Sequence, residues 1–206
     1  MLKIWGRNTS SNVQKVLWAC EELSLAYDRV DVGGPFGGLD KPDYVARNPN
    51  KRIPTIDDDG YILWESNVIV RYLAARHGAE ALWPTEPRAR AACDQWMEWQ
   101  QTTLAGDAVV LVVQLVRTPA DKRDMAAVEM ARQKAEANWA IVDHRLASNP
   151  YLGGKQFTVG DIPLGVWAWR RYQLPIQRSN LPNVDAWYQR LQQRAAYRKS
   201  VMNPLA

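Results

Sequence analysis

The chain is poor in cysteine. Cys20 and Cys93 are its only two, and no CxxC occurs. That excludes a disulfide framework and a cysteine-based metal site, and leaves each thiol the role of a small buried hydrophobe. Long apolar runs are lacking too: the longest nearly uncharged one, AVVLVVQLV at 108–116, falls far short of a membrane span. At the N-terminus, Lys3 and Arg7 bracket only a short apolar run, which does not read as a signal peptide. Nor is there a strong excess of one charge. Lys+Arg number 26 against 22 Asp+Glu, a formal +4 that slightly favours anionic small molecules and makes no case for nucleic acid. What remains, at 47% apolar and 23% charged residues over 206 positions, is a globular chain of one large or two small domains in a reducing compartment.

What is present divides into two halves of different period. LKIWG (2–6) is a β-type run ended by glycine, and Val13, Val16, Leu17, Cys20 and Leu23 then recur at helical steps. YDRVDV (27–32) alternates, GGPFGG connects, and a short helix is expected around KPDYVAR. IPTI and YILW flank the turn DDDG and read as a hairpin; Ser66 to His77 is helical, with Gly78 placed to end it. The order β-α-β-α-β-β-α puts the first two strands parallel and the hairpin antiparallel. After the proline-bearing stretch GAEALWPTEPR (78–88) the pattern is helical throughout, with apolar faces at 92/96/99/103, 128/131/135/139/142/146 and 184/187/188/191.

Three local patterns concern helix starts. Asn8-Thr9-Ser10-Ser11-Asn12 stand between the first strand and the first helix. Ser11-x-x-Gln14 fits a capping box with Ser11 as N-cap, which leaves Ser10, one step earlier, free to face a ligand. Ser66, after Glu65, reads as the N-cap of the third helix. Thr158-x-x-Asp161 is another capping box, so Asp161 reads as structural rather than catalytic. Seven basic residues and one acid, Asp185, lie between Arg170 and Lys199, the pattern of a solvated basic face.

SSNVQKVLWACEEL after the first strand, NPNKRIPTI (48–56), WESNVIVRYL (64–73) and FTVGD, in this order and spacing, resemble the serine-type cytosolic glutathione transferases, the phi- and theta-like and related bacterial enzymes. The resemblance runs the whole length. It implies an α/β thioredoxin-like N-terminal domain (1–78) that binds glutathione, a linker (79–88) and an all-α helical-bundle C-terminal domain (89–206) that contributes the electrophile site. It implies glutathione as co-substrate without a metal, a small electrophile as second substrate, and neither nucleic acid nor membrane as partner. A cytoplasmic homodimer with a detoxifying role is the family's usual form. Glutathione-dependent dehalogenation or peroxide reduction would use the same thiolate.

By the same resemblance, Ser10 is the residue that stabilises the thiolate, with Ser11, Asn12 and Thr9 as alternatives. Arg52, Ile53, Pro54, Glu65 and Ser66 would hold the tripeptide: Arg52 on a carboxylate, the Ile53 amide on the cysteinyl group beside a cis Ile53–Pro54 bond, Glu65 on the ammonium and Ser66 on the γ-glutamyl carboxylate. No tyrosine precedes Tyr27, and Cys20 falls mid-helix, so the family's tyrosine- and cysteine-type sites are not available near the first strand. A thiol near pKa ~8.5 needs about 2.7 kcal/mol of differential stabilisation to fall by about two units. One charge-assisted hydrogen bond at a helix N-terminus supplies that order of energy. Of a different class is a non-catalytic glutathione-binding or interaction protein that keeps the fold. A thiol–disulfide oxidoreductase is disfavoured, because no cysteine stands at a helix N-terminus.

Overall fold

The structure is a computed structural model that describes residues 1–78 and 80–206. Four short strands form one sheet in the order β2-β1-β3-β4. The apolar β1 (Leu2–Trp5) takes the inner position, parallel to β2 (Tyr27–Val30) with Leu2 opposite Tyr27. It runs antiparallel to β3 (Thr55–Asp58), with Ile4 opposite Ile56. The hairpin from β3 to β4 (Tyr61–Trp64) turns at Asp59 and Gly60, both at positive φ, and the Asp57 carboxylate accepts from Gly60 N at 2.6 Å. Two consecutive left-handed residues match the twist of the strands, which is why DDDG marks the turn. α1 (Ser11–Glu22), α2 (Pro42–Arg47) and α3 (Ser66–Arg76) complete this half in the expected order.

The second half is helical. Pro87 opens α4 (Pro87–Trp99), whose N-terminal amides of Arg88 and Ala89 are bound by the Glu86 carboxylate at 3.0 and 2.7 Å. α4 runs into α5 (Ala105–Val112) through a π-helical turn, Gln100–Leu104, and a second π turn, Val113–Arg117, follows. α6 (Met125–Leu146) is capped by Asp124, and α7 (Asp161–Gln173), α8 (Pro182–Gln193) and α9 (Ala195–Ser200) complete the bundle. Beyond α4 the described residues form no strand, only an isolated bridge between Tyr151 and Gly154. No described helix is long and apolar enough to cross a membrane.

The core is continuous across both halves, and α1 is its seam. Residues 13–20 of α1 are all buried, one side against α3 and the other against α7 and α9. Trp18 packs on Phe157 and edge-on to Tyr197, with ring centroids 5.3 and 4.7 Å apart. It also lies over Gly165, where an added Cβ would come within 2.7 Å of the indole. Both cysteines are fully buried, as expected of small hydrophobes, and burial pushes the Cys20 thiol up to about 12. Asp161 is structural. Its carboxylate accepts from Leu152 N (2.9 Å), Thr158 N (3.0 Å) and the Trp187 indole (2.9 Å), which ties the turn before α7 to α8.

The basic segment is only in part the solvated face its composition implies: Arg178, Arg198 and Lys199 are exposed, but its first two arginines are not. Arg170 and Arg171 are each 4% exposed, because α7 is buried nearly all round. Arg171 forks onto Glu136 at 2.8 and 2.7 Å, and Arg194 forks onto Glu22 of α1 at 2.7 and 2.6 Å.

Candidate functional site

The site is built where β1 hands over to α1. Gly6, at φ 150°, lies so close to α1 that a Cβ there would come within 2.4 Å of Val13 and 3.3 Å of Ile53. Only glycine lets this loop lie between the helix and the Ile53 segment. The chain then turns, Ser10 N donating to Arg7 O at 3.2 Å, and Ser10 takes an extended conformation as the N-cap. Its carbonyl accepts the first helical bond, from Gln14 N at 2.9 Å, while its hydroxyl makes no capping bond. The expected capping box therefore does not form. Ser11 is the first helical residue, and the Gln14 side chain accepts from Arg170 instead, at 2.8 Å. Ser10 is free for a different reason than the capping pattern gave: it is the cap, with its side chain unspent. Ser11 and Asn12 are half-buried in the same turn, which carries no acidic residue to offset the helix dipole.

Beside this loop the Ile53–Pro54 bond is cis. Two buried residues hold the segment. Asn48 donates to Arg52 O (3.0 Å) and Thr55 Oγ1 (3.0 Å), and the Tyr44 hydroxyl donates to Arg52 O (2.6 Å). Asn48 also accepts from Asn50 N at 3.0 Å, an Asx turn for which the composition NPN is the sequence signal. Sequence reasoning gave Asn48 and Tyr44 no role. Arg52 itself has its side chain in solvent, whereas Pro54 is buried.

The third segment differs by one residue from expectation. α3 starts at Ser66, so the N-cap is Glu65, whose carbonyl accepts from Ile69 N at 2.9 Å. Glu65 sits at φ 74°, a left-handed conformation that costs a non-glycine residue about 1–3 kcal/mol and is found at sites that need it. Its carboxylate is exposed, while Ser66 is 5% exposed. Behind it lies Lys15, fully buried, whose ammonium donates to Asn67 Oδ1 at 3.3 Å and Gln101 Oε1 at 3.4 Å. Burial, then repulsion from Arg170, pull this lysine down to about 7 against the opposing pull of Glu65 and Glu98. A lysine on the apolar face of α1 carries no sequence signal of this kind.

On the helical side, Trp96 is 8% exposed and packs edge-on to Trp99, and Gln114 accepts from Asp124 N at 2.9 Å; both are structural. Arg117, in the second π turn, stands near enough to repel Arg7 and Arg170. Among the described residues no cluster of histidine, cysteine or carboxylates could hold a metal ion.

A four-stranded mixed sheet with flanking helices, joined to an all-α bundle and carrying an unspent serine at the N-terminus of its first helix, defines a thioredoxin-like protein with an appended helical domain. The family description "Glutathione S-transferase, N-terminal domain" matches residues 9–76, and "Glutathione S-transferase, C-terminal domain" matches residues 125–190. Glutathione S-transferase GstB of Escherichia coli K12 is 40% identical over 208 residues, covering 100% of both chains. Glutathione S-transferase 3 of Zea mays is 31% identical over 97% of this chain and 93% of its own. The theta class glutathione S-transferase of Xanthomonas axonopodis pv. citri, solved with glutathione bound, superposes with a TM-score of 0.97 at 47% identity, covering 100% of this chain and 99% of that one. The chain belongs to the glutathione S-transferase family and is an enzyme of that family.

Proposed function

We propose that the protein binds glutathione across the three segments at 6–12, 48–54 and 64–66, and that Ser10 stabilises its thiolate for attack on a small electrophile. The observation that carries this reading is the Ser10 hydroxyl: it occupies the N-cap of α1, makes no bond to the helix, and stands at a dipole end with no acid beside it. The thiol proton leaves to solvent. The hydroxyl donates to the sulfur anion, and the helix N-terminus adds electrostatic support. Arg52 meets a glutathione carboxylate, the Ile53 main chain the cysteinyl group, Glu65 the ammonium, and Ser66 with the first amides of α3 the γ-glutamyl carboxylate. Pro54 shapes the loop. The electrophile enters between the N-terminus of α1 and the α4–α5 rod, and the sulfur displaces its leaving group or adds to it.

The functional units are 1–78 for glutathione, 79–88 as linker and 89–206 for the electrophile. A cytoplasmic homodimer with a detoxifying role completes the reading. Ser10→Ala tests it: turnover should fall about 10- to 100-fold, the loss of one hydrogen bond to a charged group. The pH midpoint of activity should rise. Full activity in Ser10→Ala, with Ser11→Ala or Asn12→Ala inactive, would move the role to that neighbour; failure of immobilised glutathione to retain the wild-type protein would overturn the reading altogether.

A further inference from the structure

Arg170 and Arg171 are neighbours on α7 and equally buried, at 4% exposed each, yet they are treated differently. Arg171 has a carboxylate of its own, Glu136. Arg170 has none among the described residues: its guanidinium donates to the Gln14 amide oxygen (2.8 Å), Val166 O (3.0 Å) and Thr9 O (3.2 Å), all neutral. A buried charge ordinarily has an opposite charge for a partner. The groups facing Arg170 from the elements packed on it do not supply one. Arg7 of the β1–α1 loop and Arg117 of the second π turn are cations, and Lys15 of α1, pulled down to about 7, is a cation below that pH and neutral above it. Tyr197 of α9 is a phenol held neutral by burial. Glu136 of α6 lines the same small cavity but is committed to Arg171 and Ser179 N. One bond of this unpaired cation ends on the carbonyl immediately before Ser10.

We infer that Arg170, reaching from the helical domain, is a positioning residue for the thiolate site: it fixes the Thr9–Ser10 peptide, and the bound sulfur anion is the counter-charge that its burial lacks. The inference rests on the proposed glutathione-thiolate reading and deepens it, since it makes the ionisation of the thiol depend on a residue outside the glutathione-binding half. Burial and the repulsion of neighbouring arginines disfavour the charged guanidinium, and a sulfur anion arriving beside it relieves that cost.

The test is the ultraviolet absorbance of the thiolate of bound glutathione, titrated against pH in the full-length protein. Arg170→Met should raise the apparent thiol pKa by about one unit, a tenfold loss of thiolate below it. Activity should fall at neutral pH and recover in alkali. Arg170→Lys, which keeps the charge, should restore most of the ionisation, whereas a merely structural loss would depress activity at every pH and leave the thiol pKa in place. Should Arg170→Met not fold, Gln14→Glu carries the test. It keeps the contact and the shape but gives the guanidinium a carboxylate, so the thiol pKa should rise while thermal stability holds or improves. A thiol pKa unchanged from wild type in Arg170→Met or in Gln14→Glu overturns the inference. Absence of any thiolate signal in the wild type would instead overturn the glutathione reading, and this one with it.

Discussion

Single residues in this protein are set by what lies one position away. Ser10 and Ser11 are chemically alike, but only Ser10 has the extended backbone of a cap, and only its hydroxyl is left outside the helix. Lys15 makes a different point. Its folded-state value, about 7, lies below its ordinary 10.5. Between those values the unfolded chain holds the proton and the folded chain does not, so this residue makes stability rise with pH from about 7 toward 10.5. Lys15→Met should remove that rise. It should also increase the melting temperature near pH 7, by on the order of 5 °C. Melting curves across that pH window check it; a slope identical to wild type would show that the ammonium is not under strain.

At the scale of elements, starts and joints matter most. Asp161 joins the turn at 152–158, the first turn of α7 and Trp187 of α8 through a single carboxylate. Asp161→Ala would leave two buried amides and an indole N–H unpaired, a loss of about 3 kcal/mol or more. A drop in the urea midpoint with an unchanged slope is the expected reading. That role was legible in the sequence, because Thr158-x-x-Asp161 is a local pattern answered by local partners. The order of strands and helices was legible too, since period and turn residues decide it. The helix starts at Ser10 and Glu65 were not. In both, the capping preference selected a serine that the structure makes the first helical residue, because backbone torsion, not side-chain type, decides which residue is the cap. The two π turns were hidden for a related reason: counting apolar positions at a fixed helical step assumes an unbroken ladder, and each π turn offsets the face that follows. Arg170 and Arg171 read as surface charge because their partners, Gln14 and Glu136, are 156 and 35 residues distant in the chain.

For the whole molecule, the burial of α1 on all sides is decisive. The sheet half alone would expose Trp18, now covered by Phe157, Gly165 of α7 and Tyr197 of α9. Two halves that share a core in this way should unfold together. Urea curves followed by tryptophan fluorescence and by far-ultraviolet circular dichroism should therefore coincide, as for a two-state transition; two separated steps would mean that each half is stable without the other. The same helix has a consequence for biosynthesis. α1 leaves the ribosome among the first residues, but the surfaces that cover its outer side, at 157–173 and 195–200, are made last. Until then the nascent chain carries an uncovered Trp18 on the outer side of α1, a surface for holding chaperones to shield through almost the entire period of translation.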